Sequence, residues 1–98
     1  MMKIAAVCSS GLGSSFMVEM NMQEVLKDLG VADKVEATHM DMGGAEVNDA
    51  DQFFVGKDLA DAAENQFGDK VTVLNSLIDK DELKEKIRIF LQEQGILD

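Results

Sequence analysis

The residues best suited to chemistry stand together near the start of the chain: Cys8-Ser9-Ser10-Gly11-Leu12-Gly13-Ser14-Ser15. A thiol becomes a strong nucleophile when nearby donors favour its ionised form, below the ~8.5 of a free cysteine. Gly11 and Gly13 permit backbone conformations in which successive amides converge on an anion. The first N–H groups of a following helix have no intrahelical partners and carry the positive end of its dipole. The hydroxyls of Ser9, Ser10, Ser14 and Ser15 add further donors. Such a ring would favour a thiolate and would equally hold a phosphoryl group on its sulfur. Cys8 is therefore a candidate phosphate-accepting nucleophile, with residues 9–15 as its phosphate cradle.

The cations missing from this stretch narrow the chemistry. A cysteine phosphatase needs Cys-x5-Arg, whose guanidinium clamps the transferred group with two parallel hydrogen bonds. Here the sixth residue after Cys8 is Ser14. There is no Gly-Lys-Ser/Thr of a Walker A loop, and Phe16 stands where a dinucleotide fingerprint needs Gly or Ala. A cradle of neutral donors holds phosphate without strongly stabilising its hydrolysis, which suits an intermediate meant to be passed on.

The elements that would position Cys8 can be read from periodicity. Ile4-Ala5-Ala6-Val7 is a short apolar run with the length and flanks of a buried strand. Val18, Met22, Val25, Leu26 and Leu29 recur at helical spacing; Ser14 or Ser15 can cap the start, and Gly30 suits the end. Alternation over 34–39 predicts a second strand, and 40–51 a loop with room for one helical turn. Residues 52–55 predict a third strand, ending at Gly56. A second helix is expected from Asp58 to Gln66, a fourth strand over 71–74, and a last helix from Asp79. The acids Asp79, Asp81 and Glu82 suit that helix's positive end.

Strands alternating with helices imply one α/β domain over residues 1–98, with a parallel sheet and helices on both faces. Right-handed crossovers and a central first strand give the order 2-1-3-4, a Rossmann-like arrangement. Its ligand crevice lies beyond the carboxyl end of the first strand, where Cys8 stands.

Composition removes several other roles. The 98 residues carry 19 acids against 9 bases, a formal charge of −10, which repels nucleic acid and anionic lipid. One Cys and one His cannot form an internal disulfide or a zinc site. Asp41, Asp49 and Asp51 are irregularly spaced and read as a solvated loop rather than a cation site. The start, Met1-Met2-Lys3-Ile4-Ala5-Ala6-Val7-Cys8, resembles a lipoprotein signal, but its apolar stretch falls short of the ~7–15 residues of a signal core. No apolar run approaches the ~18 residues of a membrane span. The expectation is a cytoplasmic protein without metal or small cofactor and without direct membrane insertion.

Cys8-x-x-Gly11-x-Gly13-Ser14-Ser15 after Ile4-Ala5-Ala6-Val7 resembles the enzyme IIB components of the bacterial phosphoenolpyruvate-dependent sugar phosphotransferase system. It is most similar to their ascorbate type, related to the galactitol and lactose/cellobiose types. Gly56-Lys57-Asp58 departs from the Ser/Thr-His type of sequence at the next strand end. The resemblance implies that Cys8 accepts a phosphoryl group from a phosphohistidine on a IIA partner. It then passes the group to a sugar, L-ascorbate or a related sugar or polyol, bound in the membrane IIC transporter. Such a protein is a phosphotransferase.

Around the loop, Phe16, Met17 and Met20 would form a soft apolar rim if they are not core, and Met40 and Met42 would extend it. Lys57, at the third strand end, would steer an acidic partner or touch the phosphate. His39 reads as structural or exposed. Two other readings stay open: a relative of low-molecular-weight phosphatases and arsenate reductases, and a non-catalytic module that binds an anion or a partner.

Overall fold

The computed structural model describes residues 1–8 and 14–97, with the side chains of residues 14 and 15 set aside. Four parallel strands form one sheet in the order β2-β1-β3-β4, as the alternation of elements requires. They are β1 (Met2–Cys8), β2 (Val35–Asp41), β3 (Gln52–Gly56) and β4 (Val71–Leu74). The helices are α1 (Ser14–Asp28), α2 (Ala60–Phe67) and α3 (Lys80–Glu93).

The central strands are continuous apolar runs because helices cover both sides of them. Ile4 and Ala6 face one cluster with Phe54, Leu74, the α1 residues Val18, Met22 and Leu26, and the α3 residues Leu83 and Ile87. Ala5 and Val7 face the other, with Phe53, Val55 and the α2 residues Ala63 and Phe67. On that side the Phe53 and Phe67 rings stack at 3.8 Å between centroids. On the α1/α3 side Phe54 meets Phe90 edge-on at 6.1 Å. The apolar positions read as helical all lie against the sheet: Val18, Met22, Val25 and Leu26 are buried, and Leu29 packs against them.

Helix ends follow their sequence signals. Gly30 and Gly68 both have positive φ, 74° and 65°, two residues after the end of α1 and directly after α2. Asp79 caps α3 by accepting from the Asp81 N–H at 3.1 Å and the Glu82 N–H at 3.2 Å. The exception is the start of α1: Ser14 and Ser15, expected as its cap, lie inside the helix, and the position before Ser14 lies outside the described residues.

Several boundaries differ from the sequence reading, and β1 runs from Met2 to Cys8 rather than over Ile4 to Val7 alone. β2 continues through Met40 and Asp41, because it pairs with β1 along its whole length, to Cys8 opposite Asp41. The following segment makes two turns, one in which Gly44 and Ala45 N–H both donate to the Asp41 carbonyl and one in which the Asp49 N–H donates to the Glu46 carbonyl, and no helix forms among residues 42–51. Between β3 and α2 the chain passes through a 3-10 turn, Lys57–Leu59, so α2 begins two residues later than Asp58. Asp51 and Asp49 serve the backbone: Asp51 accepts from the Lys3 N–H at 2.8 Å and Asp49 from the Glu46 N–H at 2.9 Å.

Candidate functional site

Winding reverses between β1 and β3, so the crevice of the fold opens beyond their carboxyl ends. Cys8 is the last residue of β1 and is half-buried there. Its carbonyl accepts from the Met42 N–H at 3.0 Å, which ties the start of the β2–β3 connection to the same edge. A cleft of about 320 Å³ opens at this place, with Val7, Cys8 and Val18 on one wall. Gly56, Asp58 and Leu59 supply a second wall, and residues 75–78, after β4, the third.

The β4 wall is held by α3. The Glu82 carboxylate accepts from the Asn75 N–H at 2.7 Å and from the Ser76 N–H at 3.0 Å. The Ser76 carbonyl accepts from the Asp79 N–H at 3.1 Å, closing a turn onto the helix cap. Asp79 and Glu82, expected only to complement the helix dipole, thus also shape the cleft.

Gly56 has a compact role. A Cβ there would lie 2.8 Å from Asp58 Oδ1 and 4.0 Å from the Leu77 Cβ. Its φ of −75° is open to any residue, so glycine serves here by lacking a side chain where the Asp58 carboxylate folds back over the strand end.

The structure brings together some of the expected site residues and separates others. Ser9, Ser10, Gly11, Leu12 and Gly13 lie outside the described residues, as do the side chains of Ser14 and Ser15, which open α1. Phe16, Met17 and Met20 are 51%, 58% and 50% exposed, whereas their neighbour Val18 is buried and lines the cleft. Met40 and Met42 are half-buried against the α2-side cluster, so packing takes most of their surface. Lys57 is exposed but is not among the described lining residues, where Asp58 stands instead. His39 Nδ1 lies 2.9 Å from Glu19 Oε1, and its ring meets Phe16 edge-on at 5.8 Å. His39 thereby links β2 to the exposed end of α1.

Sequence reasoning missed Asp58 as a wall residue, Ile78 as an exposed apolar residue beside the cleft, and Glu82 as the clamp of the β4 turn. Ile78 is 65% exposed and lies outside any strand or helix period. Glu82 carried a signal: an acid in the first turn of a helix can reach back to amides that precede it. Among the described residues no group of three or more His, Cys, Asp or Glu could hold a metal ion. No helix among them is long and apolar enough to cross a membrane.

Known proteins agree with this geometry. A crystal structure of a protein tyrosine phosphatase from Entamoeba histolytica is similar to the chain with a TM-score of 0.71. The match covers 97% of this chain and 99% of that one at 15% identity, and so shows a shared fold. The ascorbate-specific PTS system EIIB component of Mycoplasma pneumoniae is 26% identical over 84 residues, 86% of this chain and 88% of that protein. Residues 3–89 match the family model described as the PTS system, lactose/cellobiose-specific IIB subunit. IIB components act as phosphocarriers in sugar phosphotransfer and work with IIA and IIC components. With its β1 cysteine at the sheet crevice, and with a family match running from the first strand into the last helix, the chain belongs to the IIB family of the sugar phosphotransferase system.

Proposed function

We propose that Cys8 is the residue that carries the phosphoryl group, in a cytoplasmic relay from a phosphohistidine IIA protein to L-ascorbate or a related sugar or polyol in a IIC transporter. The observation that carries this reading is the place of Cys8. It is the only cysteine of the chain, at the end of the central strand, on a cleft whose described walls hold no lysine or arginine.

In the first step the Cys8 sulfur attacks phosphorus in line. The S–P bond forms, the N–P bond breaks, and its electron pair stays on the donor's imidazole. In the second step a hydroxyl oxygen of the sugar attacks. The O–P bond forms, the S–P bond breaks with its electron pair left on sulfur as the restored thiolate, and the hydroxyl proton passes to solvent. Residues 9–15 would cradle the phosphoryl group between the steps through amides and serine hydroxyls. Each transfer needs the reacting atoms at about 3 Å, so docking supplies much of the catalysis. Phe16, Met17 and Met20 would form the docking rim with Ile78, bordered by the edges of Met40 and Met42, and Lys57 would meet acidic groups of a partner. The ascorbate assignment draws on the Gly13-Ser14-Ser15 triplet and on the name of the Mycoplasma pneumoniae relative.

Phosphoenolpyruvate with the upstream proteins and a IIA partner should add one phosphoryl group to the chain, and Cys8→Ser should prevent it. An unchanged wild-type mass, with the IIA protein phosphorylated in the same tube, would remove the proposal. Adding membranes that contain the transporter should then move label to ascorbate. Label moving to galactitol or cellobiose, and not to ascorbate, would keep the relay and replace the sugar.

A further inference from the structure

We propose that Asp58 sets a carboxylate against the anion-holding stretch at Cys8, so that free anions are disfavoured there and a phosphoryl group enters from a docked macromolecular donor and leaves readily. The inference rests on the carrier reading for its meaning, although its geometry and its test do not need a partner.

Among the described lining residues the ionisable side chains are those of Cys8 and Asp58, and none is cationic. The placement is built into the strand end. Asp58 Oδ1 occupies the space over Gly56, 2.8 Å from where a Cβ would stand. The cation beside it in sequence, Lys57, is not among the lining residues. The amides on the facing wall do not offset the carboxylate, because the Asn75 and Ser76 N–H groups are occupied by Glu82 at 2.7 and 3.0 Å. The described walls therefore place one carboxylate on the cleft that Cys8 also lines, over the neighbouring strand end, and leave both of these amides engaged elsewhere.

A carboxylate beside a dianionic phosphoryl group raises the energy of the phosphorylated state relative to the empty one. For a hydrolase this would be a defect. For a carrier it keeps the transfer potential high and disfavours small phosphate esters that reach the cleft without a partner. A docked donor differs, because apolar contacts on the exposed rim can offset the repulsion that a free ester meets unaided.

The test uses two alkylating agents of nearly the same shape, anionic iodoacetate and neutral iodoacetamide, on the purified chain at low salt. The ratio of their rates at Cys8 cancels the thiolate fraction and reads the local charge. Asp58→Asn should raise the iodoacetate-to-iodoacetamide ratio about three- to tenfold, and molar salt should narrow the gap, as for a carboxylate on the same cleft and partly screened by solvent. Asp61→Asn makes the same change of net charge on an exposed residue of α2 that is not among the described lining residues, and should leave the ratio near wild type. Equal ratios in the two variants would overturn the inference. Asp58→Ser, run in parallel, must move the ratio in the same direction as Asp58→Asn; no change there would count equally against it. Phosphorylation of wild-type Cys8 is measured separately. If it fails while the ratio still responds to Asp58, the carrier reading falls and the anion-rejecting cleft stands.

Discussion

At the scale of single residues, Glu82 does two jobs with one carboxylate. Its own N–H is capped by Asp79 at 3.2 Å, and its oxygens take the Asn75 and Ser76 amides. Those amides sit in the turn that forms the β4 wall, so the clamp joins the α3 N-terminus to the cleft. Removing an acceptor leaves donors to find water or go unpaired, and charged acceptors are stronger than neutral ones. Glu82→Ala should lower unfolding stability by about 1–2 kcal/mol in urea titrations, and should slow phosphoryl uptake beyond what lost folded protein explains. Glu82→Gln, which keeps an acceptor oxygen, should fall between the two. An uptake rate that tracks only the folded fraction would show that the wall tolerates loosening.

At the scale of elements, α1 carries both the cleft residue Val18 and the exposed apolar residues, so its seat on the sheet sets the geometry of the site. Its apolar face packs against β1 and α3, and its outer edge is linked to α3 by Lys80 to Glu24 and by Lys84 to Asp28 at 3.9 Å. The hydrogen bond from Lys80, aided by its charge, holds the Glu24 carboxyl below its usual 4.5. The same hydrogen bond, aided by the charge of Glu24, holds the Lys80 ammonium above its usual 10.5. On the acid side the contribution is present above about pH 4.5 and is lost as pH falls through the lowered Glu24 value. On the alkaline side it is present below about 10.5 and is lost as pH rises through the raised Lys80 value. Both groups are exposed, so solvent screens the pair. The gap in urea midpoint between wild type and Glu24→Gln should be small, flat across neutral pH, and narrower at both extremes and in molar salt. A gap that widened below pH 4 would assign Glu24 a different role.

At the scale of the whole molecule, large apolar side chains exposed on the first turns of α1 and after β4 stand out in a chain with a formal charge of −10. Phe16, Met17 and Met20 lie on the first turns of α1, and Ile78 lines the cleft from the β4–α3 connection. They take little part in the core, whose large members are Phe53, Phe54, Phe67, Leu83 and Leu91. Replacing Phe16, Met17 and Met20 together by Ser should therefore leave stability within about 1 kcal/mol, as for exposed positions. Phosphoryl uptake from the IIA donor should slow at least tenfold, chiefly through a raised KM, read by label transfer at varied donor concentration. Normal uptake in a folded triple variant would place the docking surface elsewhere.

Much of this architecture was legible before any coordinates. The alternation of apolar runs with 3.6-residue periodicity determines a parallel sheet covered on both faces. Handedness and a central first strand then leave the order 2-1-3-4, which puts Cys8 at the crevice. Those inferences succeed because burial and hydrogen-bond satisfaction act locally and leave a periodic mark. The stretch from Cys8 to Ser15 offers a candidate nucleophile and cradle by composition alone, and most of it lies outside the described residues. What only the tertiary structure decided concerns residues whose surroundings come from distant parts of the chain. β2 extends to Asp41 because β1 offers it partners as far as Cys8. Lys57 and Asp58 are neighbours of opposite charge, and only the 3-10 turn between β3 and α2 decides that the carboxylate stands among the lining residues. No periodicity encodes that choice, since it depends on the space over Gly56 and on a turn from beyond β4 closing nearby. Glu82 and Ile78 gain their places in the same way, through contacts set by how whole elements pack.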